Sequence, residues 1–139
     1  MNIININHKE NRKKAVNMLD EYTRQKSPKS FETLREKISL GVEIEGNIES
    51  RIVGSISFNA LHIELFISNA EARGKGYGSQ LLDKVEKMAV EKGCHYIVLE
   101  TMSFNAPKFY KNKGFEVIKE VKNSPITGES HFYMYKSLI

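Results

Sequence analysis

Between residues 73 and 78 the chain reads Arg73, Gly74, Lys75, Gly76, Tyr77, Gly78, with three glycines at alternate positions. Ahead of this run, 61–67 alternates: Leu61, Ile63, Leu65 and Ile67 share one face and His62, Glu64 and Phe66 the other, the period of a strand. Behind it, Leu81, Leu82, Val85, Met88 and Ala89 fall at helical spacing, predicting a helix over 78–92 closed by Gly93. Glycines between a strand and a helix allow a tight turn and a close backbone approach. The first N–H groups of the helix have no internal partner, and its dipole favours negative charge there. Such a turn is a main-chain anion site, suited to a phosphate or diphosphate, and Arg73 and Lys75 add positive charge. The same context argues against a bare turn without a ligand.

Two nucleotide-binding patterns fit less well. A P-loop requires a hydroxyl residue after its lysine, whereas Lys75 is followed by Gly76. Glu100 lies where a dinucleotide fold places its ribose-binding acid, but Gly78 falls one position early for the third glycine. A chain of 139 residues is also short for two mononucleotide-binding halves and suits one domain spanning 1–139.

The remaining pattern predicts an α/β chain. Ile4 and Ile6 alternate with asparagines as a short first strand. Ala15, Met18, Leu19 and Tyr22 mark a helix over 9–26, and Arg12, Lys13 and Lys14 fall on its solvated face. Pro28 interrupts this helix. Ser30 then caps a second one, with Phe31, Leu34 and Ile38 turned inward and Gly41 at its end. Strands follow over 42–45, 51–58 and 61–67, with a turn at Gly46 and Asn47. The apolar run 96–102 reads as a strand covered on both faces, 105–113 as a short helix, and 115–121 and 131–138 as closing strands. The lone cysteine, Cys94, permits no internal disulfide and fits a reducing compartment. No signal-peptide or membrane-length apolar run occurs, so the expected location is cytoplasmic, without a membrane partner. The balance of 21 basic against 17 acidic residues, +4, is only permissive for nucleic acid, which is not expected as a partner.

The run from Arg73 to Gly78 resembles the Arg/Gln-x-x-Gly-x-Gly/Ala signature of the GNAT superfamily of N-acetyltransferases. The stretch 96–102 resembles a strand of that fold, and Asn105, Tyr110, Gly114 and Phe115 match its Asn-x-x-x-x-Tyr-x-x-x-Gly-Phe element. The resemblance covers 42–121 well. It implies a mixed, mostly antiparallel sheet of about six or seven strands flanked by about four helices, with the strand at 61–67 splayed from that at 96–102. Acetyl-CoA would enter this wedge as acyl donor. Its diphosphate would lie on Arg73, Gly74, Lys75, Gly76, Tyr77, Gly78 and Ser79. Phe66, Ile67 and Ser68 would bind the pantetheine or acetyl group through their main chain, and Asn105 and Tyr110 would also touch the donor. Five residues, 68–72, separate Ile67 from Arg73, one more than the commonest family spacing.

The resemblance further implies direct attack by the amine in a ternary complex, which leaves Cys94 a structural residue. Tyr110 is the expected catalytic acid, because a phenol of pKa about 10 stays protonated at pH 7 and can protonate a departing thiolate of pKa about 8.5. Otherwise it is an aromatic packed beside Phe109 and Phe115. Asn105 would also cap the short helix. Glu64 is the expected base, with His62 on the same face; otherwise both are exposed polar residues on a half-solvated sheet face, and Glu100 is an alternative residue to orient substrate. The four histidines lack metal-ligand spacing, so no metal is expected. The resemblance implies a small-molecule or peptide amine as acceptor, on a surface formed by about 20–40 and 122–130. A homodimer, a CoA-binding module without turnover and acetylation of an aminoacyl-tRNA stay open.

Overall fold

The computed structural model describes all residues, 1–139, which divide into two compact units, Met1–Thr33 and Leu34–Ile139. In the first, helix α1 (His8–Lys26) is capped by Asn7, whose Oδ1 accepts the Glu10 N–H at 3.0 Å. Residues 1–7 carry no regular structure, so the strand expected around Ile4 and Ile6 is absent. Two alternating residues are too few to form a strand without a ladder partner. Helix α2 is a single turn, Pro28–Phe31, started by Ser27 and Pro28 rather than by Ser30.

The second unit is built on a six-stranded sheet in the order β1-β2-β3-β4-β6-β5. The strands are β1 (Arg35–Ile44), β2 (Asn47–Ser57), β3 (Ala60–Ser68), β4 (Tyr96–Met102), β5 (Glu116–Lys122) and β6 (Ser130–Ser137). All pairings are antiparallel except β3 with β4. Helices α3 (Tyr77–Glu91) and α4 (Pro107–Asn112) follow β3 and β4 in the chain. This is the mixed sheet with four helices that the motifs implied.

The helix expected through Leu34 and Ile38 is instead strand β1. A spacing of four satisfies both the helical and the strand period, so those two positions could not separate the alternatives. The ladder with β2 decides it: Ile38 pairs with Gly54 and Leu40 with Ile52, and Gly41 lies mid-strand opposite Arg51.

The core lies between the sheet and α3. Ile52, Leu61, Leu82, Val85, Ile97 and Met134 are almost wholly buried. Leu82, with no exposed surface, is the deepest residue of α3. Leu82→Ala is expected to cost about 3 kcal/mol, from lost transfer energy plus the cavity left behind. Chemical denaturation checks this, and a loss below about 1 kcal/mol would show that the site collapses around the gap. No helix is long and apolar enough to cross a membrane.

Two irregularities shape the middle of the sheet. Opposite β2, Val53 pairs with Leu65 but Gly54 pairs with Ile63, leaving Glu64 as an extra residue in a β-bulge. The bulge reverses the faces. Leu61 and Ile63 are buried, but beyond it Phe66 packs against the core while Leu65 and Ile67 are exposed. The uniform apolar face expected for 61–67 is therefore broken at Glu64. Gly54 makes this possible, because a Cβ there would stand 2.5 Å from the His62 carbonyl oxygen. The second irregularity is a fork. Parallel pairing of β3 with β4 runs from Ala60↔Tyr96 to Ile63↔Leu99 and stops, although both strands continue.

Candidate active site

The fork opens into a cleft of about 830 Å³ whose walls are the end of β3, the glycine turn, the end of β4 and α4. Its phosphate end is built by local backbone. The extra residues after β3 form a 3₁₀ turn, Ala70–Ala72, with Ala72 buried. The longer spacing before Arg73 is thus absorbed ahead of the glycines. Gly74 and Gly76 have φ of +82° and +84°, which side-chain-bearing residues rarely adopt. Gly76 is the N-cap of α3, and no side chain caps that end. The first turn of α3 has no acidic residue, and the first helical bond is Gln80 N–H to the Gly76 carbonyl at 3.0 Å. The N–H groups of Tyr77, Gly78 and Ser79 are therefore left for a ligand.

Gly78 faces the cleft from this helix start. A Cβ built there would lie 3.4 Å from Ser68 Oγ and 3.5 Å from the Phe66 ring. Ser68 is held in turn by the wholly buried Ser50, hydroxyl to hydroxyl at 2.8 Å. Of the residues expected to hold the donor, Phe66, Ile67, Ser68, Arg73, Gly74, Gly76, Tyr77, Gly78, Ser79, Asn105 and Tyr110 all line the cleft. Lys75, between the two left-handed glycines, does not.

Beyond Ile63, β3 has β2 on one edge and nothing from β4 on the other. The main-chain groups of 65–68 on that free edge are open to a ligand within the cleft. Unpaired strand edges bind extended chains through main-chain hydrogen bonds.

Tyr110 sits deeper, 8% exposed, in an aromatic nest. Its ring meets Phe109 and Phe115 edge-on at 5.4 and 5.7 Å between centroids, and Phe66 at 6.3 Å. Packing and cleft-lining thus coincide in one residue. Burial pushes its pKa up to about 12, because the phenolate would lose its solvation. Asn105 does not cap α4. Ala106 holds the N-cap position with no side-chain bond, Pro107 follows, and the Asn105 N–H instead bonds the Met102 carbonyl at 2.9 Å. Cys94 is buried and outside the cleft lining, and desolvation pushes its thiol pKa up.

Two carboxylates stand at the fork. Glu64 accepts from the Ser55 hydroxyl at 3.3 Å, and Glu100 approaches His131 Nε2 at 3.6 Å. His62 shares the outward face but is not in the lining. Sequence reasoning missed Thr101 and Phe104 in the lining and Gly54 behind the bulge. Thr101 was accessible, since it follows Leu99 at the strand period. Gly54 was not, because its role depends on a cross-strand contact.

Residues 8–115 match the family described as "Acetyltransferase (GNAT) family". The chain belongs to the GNAT acetyltransferase family. A protein named blasticidin-S acetyltransferase, from Streptomyces morookaense, is 34% identical over 87 residues, 62% of this chain. The match spans 64% of that enzyme's length. A crystal structure of an acetyltransferase from Bacillus cereus superposes with a TM-score of 0.88 at 32% identity, covering 99% of this chain and 98% of that one. An aminoglycoside 6'-N-acetyltransferase crystallised with coenzyme A shares the fold alone: TM-score 0.66, 14% identity, 88% of this chain and 90% of that chain. The GNAT glycine turn and fork are thus the two features around which the cleft is organised.

Proposed function

We propose that this GNAT chain is an N-acetyltransferase that moves an acetyl group from acetyl-CoA to the primary amine of a small molecule or peptide, by direct attack in a ternary complex. The observation that carries the proposal is the uncapped, glycine-lined start of α3, with three unpartnered N–H groups opening into the forked cleft. That combination fits a long substrate with a diphosphate at one end and amide groups along its arm. The diphosphate lies on 74–79 beside Arg73, and the arm pairs with the free edge of β3. A relative that is a blasticidin-S acetyltransferase favours a small-molecule acceptor.

Chemistry follows from the fork. The ammonium of the acceptor must lose a proton before attack, and Glu64, at the bulge, takes it directly or through water. The amine nitrogen then attacks the thioester carbonyl, whose oxyanion is met by a β3 main-chain N–H. The C–S bond breaks as the Tyr110 hydroxyl protonates the leaving sulfur, and the proton that the attacking nitrogen sheds on becoming an amide restores the Tyr110 hydroxyl, directly or through water. With its pKa pushed up to about 12, Tyr110 remains a proton donor across the working range of pH.

Thiol release from acetyl-CoA across a panel of amines tests the reading. Amine-dependent release is expected, and acetyl-CoA binding without release would support a CoA-binding module instead. Glu64→Gln is expected to lower kcat/KM about tenfold or more at pH 7. The deficit should shrink near pH 10, where an alkyl amine of pKa about 10.4 is partly neutral already. A deficit of equal size at both pH values, or none, removes Glu64 as the base.

A further inference from the structure

Glu64 and Glu100 occupy equivalent positions on the two arms of the fork. Ile63 and Leu99 form the last rung of the β3–β4 pairing, and each glutamate is the next residue on its strand. Ile63 and Leu99 are turned into the core, 4% and 3% exposed. The residue after each therefore points to the opposite face of the sheet, and both glutamates are exposed there. Both line the same cleft. Neither is ion-paired to a lysine or arginine: Glu64 has the Ser55 hydroxyl and Glu100 has His131.

The cleft is thereby polarised, although the chain as a whole carries +4. Arg73 lines it by the glycine turn, and two carboxylates line it at the fork. Both carboxylates are solvent-exposed within the cleft. With no lysine or arginine paired to either, each is open to a cation carried by the substrate. One positive charge, the reacting ammonium, disappears as the amine attacks. The second carboxylate can then pair with a cation that the acceptor keeps.

We propose that the acceptor is a small amine bearing a second positive charge, with Glu64 receiving the reacting ammonium and Glu100 pairing with the retained cation. This rests on the acetyl-transfer reading above and narrows its substrate class. Glu100 acts as a specificity determinant. Tyr133, opposite Glu100 in the β4–β6 ladder, has its ring stacked against His131 at 4.6 Å. Acceptors carrying a carboxylate at that position meet like charge and are excluded.

The test compares three acceptors on one carbon skeleton: diaminobutane, butylamine and aminobutyrate, with thiol release as the readout on the full chain. Diaminobutane is expected to exceed butylamine in kcat/KM by about tenfold, through KM, and aminobutyrate to be the poorest. The preference should weaken as salt is raised. In Glu100→Gln the diamine advantage should fall to about twofold or less, and in Glu100→Lys aminobutyrate should become the best of the three. The KM for acetyl-CoA, measured alongside, reports that the cleft is still formed. Equal use of diamine and monoamine, or an advantage that survives in both variants, overturns the proposal and leaves acetyl transfer standing. Absence of thiol release from every amine overturns both.

Discussion

Tyr110→Phe is expected to lower kcat at least about tenfold while leaving the affinity for CoA nearly unchanged. The substitution removes one oxygen and keeps the ring. The nest of Phe66, Phe109 and Phe115 holds that ring in place, so phenylalanine should pack there without a cavity. Positioned general acids contribute about 10²–10⁴-fold, and the lower end applies here because a thiolate of pKa about 8.5 leaves with less help than an alkoxide. The pH profile provides a second readout. Tyr110 must be protonated to act, and its pKa lies near 12, so the wild-type enzyme should show no alkaline loss from this group below about pH 10. Steady-state kinetics with a separate CoA titration checks the prediction. Unchanged kcat, or a loss confined to CoA affinity, removes Tyr110 from the chemical step and leaves it a packing residue.

Gly78→Val is expected to weaken CoA binding by about tenfold or more. A Cβ at this position already touches Ser68 Oγ and the Phe66 ring, both in the cleft lining. The two methyl groups beyond it crowd the space between the α3 start and β3, where the proposed function puts the junction of diphosphate and arm. Gly78 has no positive φ, so valine there introduces no left-handed strain. A bulky residue at Gly76, with φ of +84°, would add about 1–2 kcal/mol of backbone strain and confuse binding with folding. Gly78 is therefore the cleaner probe. Wild-type thermal stability with weakened CoA affinity supports the account, and unchanged affinity argues that the turn does not meet the donor.

The parts of the cleft that were legible in the sequence are those whose cause is local. The glycine run declares its own backbone conformation, and α3 declares its apolar stripe through Leu81, Leu82, Val85 and Ala89. Tyr110 and Phe115 follow β4 closely enough to be placed against it. What was misread depends on contacts distant in sequence. The spacing of Leu34 and Ile38 fits two periods, and only the β2 ladder selects the strand. Strict alternation over 61–67 hid the bulge at Glu64, which exists because Gly54, on the neighbouring strand, lets the His62 carbonyl approach. That bulge is what turns Phe66 to the core and leaves Glu64 at the fork. Asn105 was assigned a cap that Ala106 and Pro107 occupy, since position within one residue decides a cap and sequence boundaries are no sharper than that.

The proposed function depends on bare amides at the start of α3 binding a diphosphate. Titration calorimetry with CoA and with pantetheine, which has the same thiol arm but no diphosphate, measures that dependence. Saturable CoA binding, with pantetheine weaker by about tenfold or more, is the predicted result. Equal affinity for the two, or no saturation by CoA at about millimolar concentration, would contradict it.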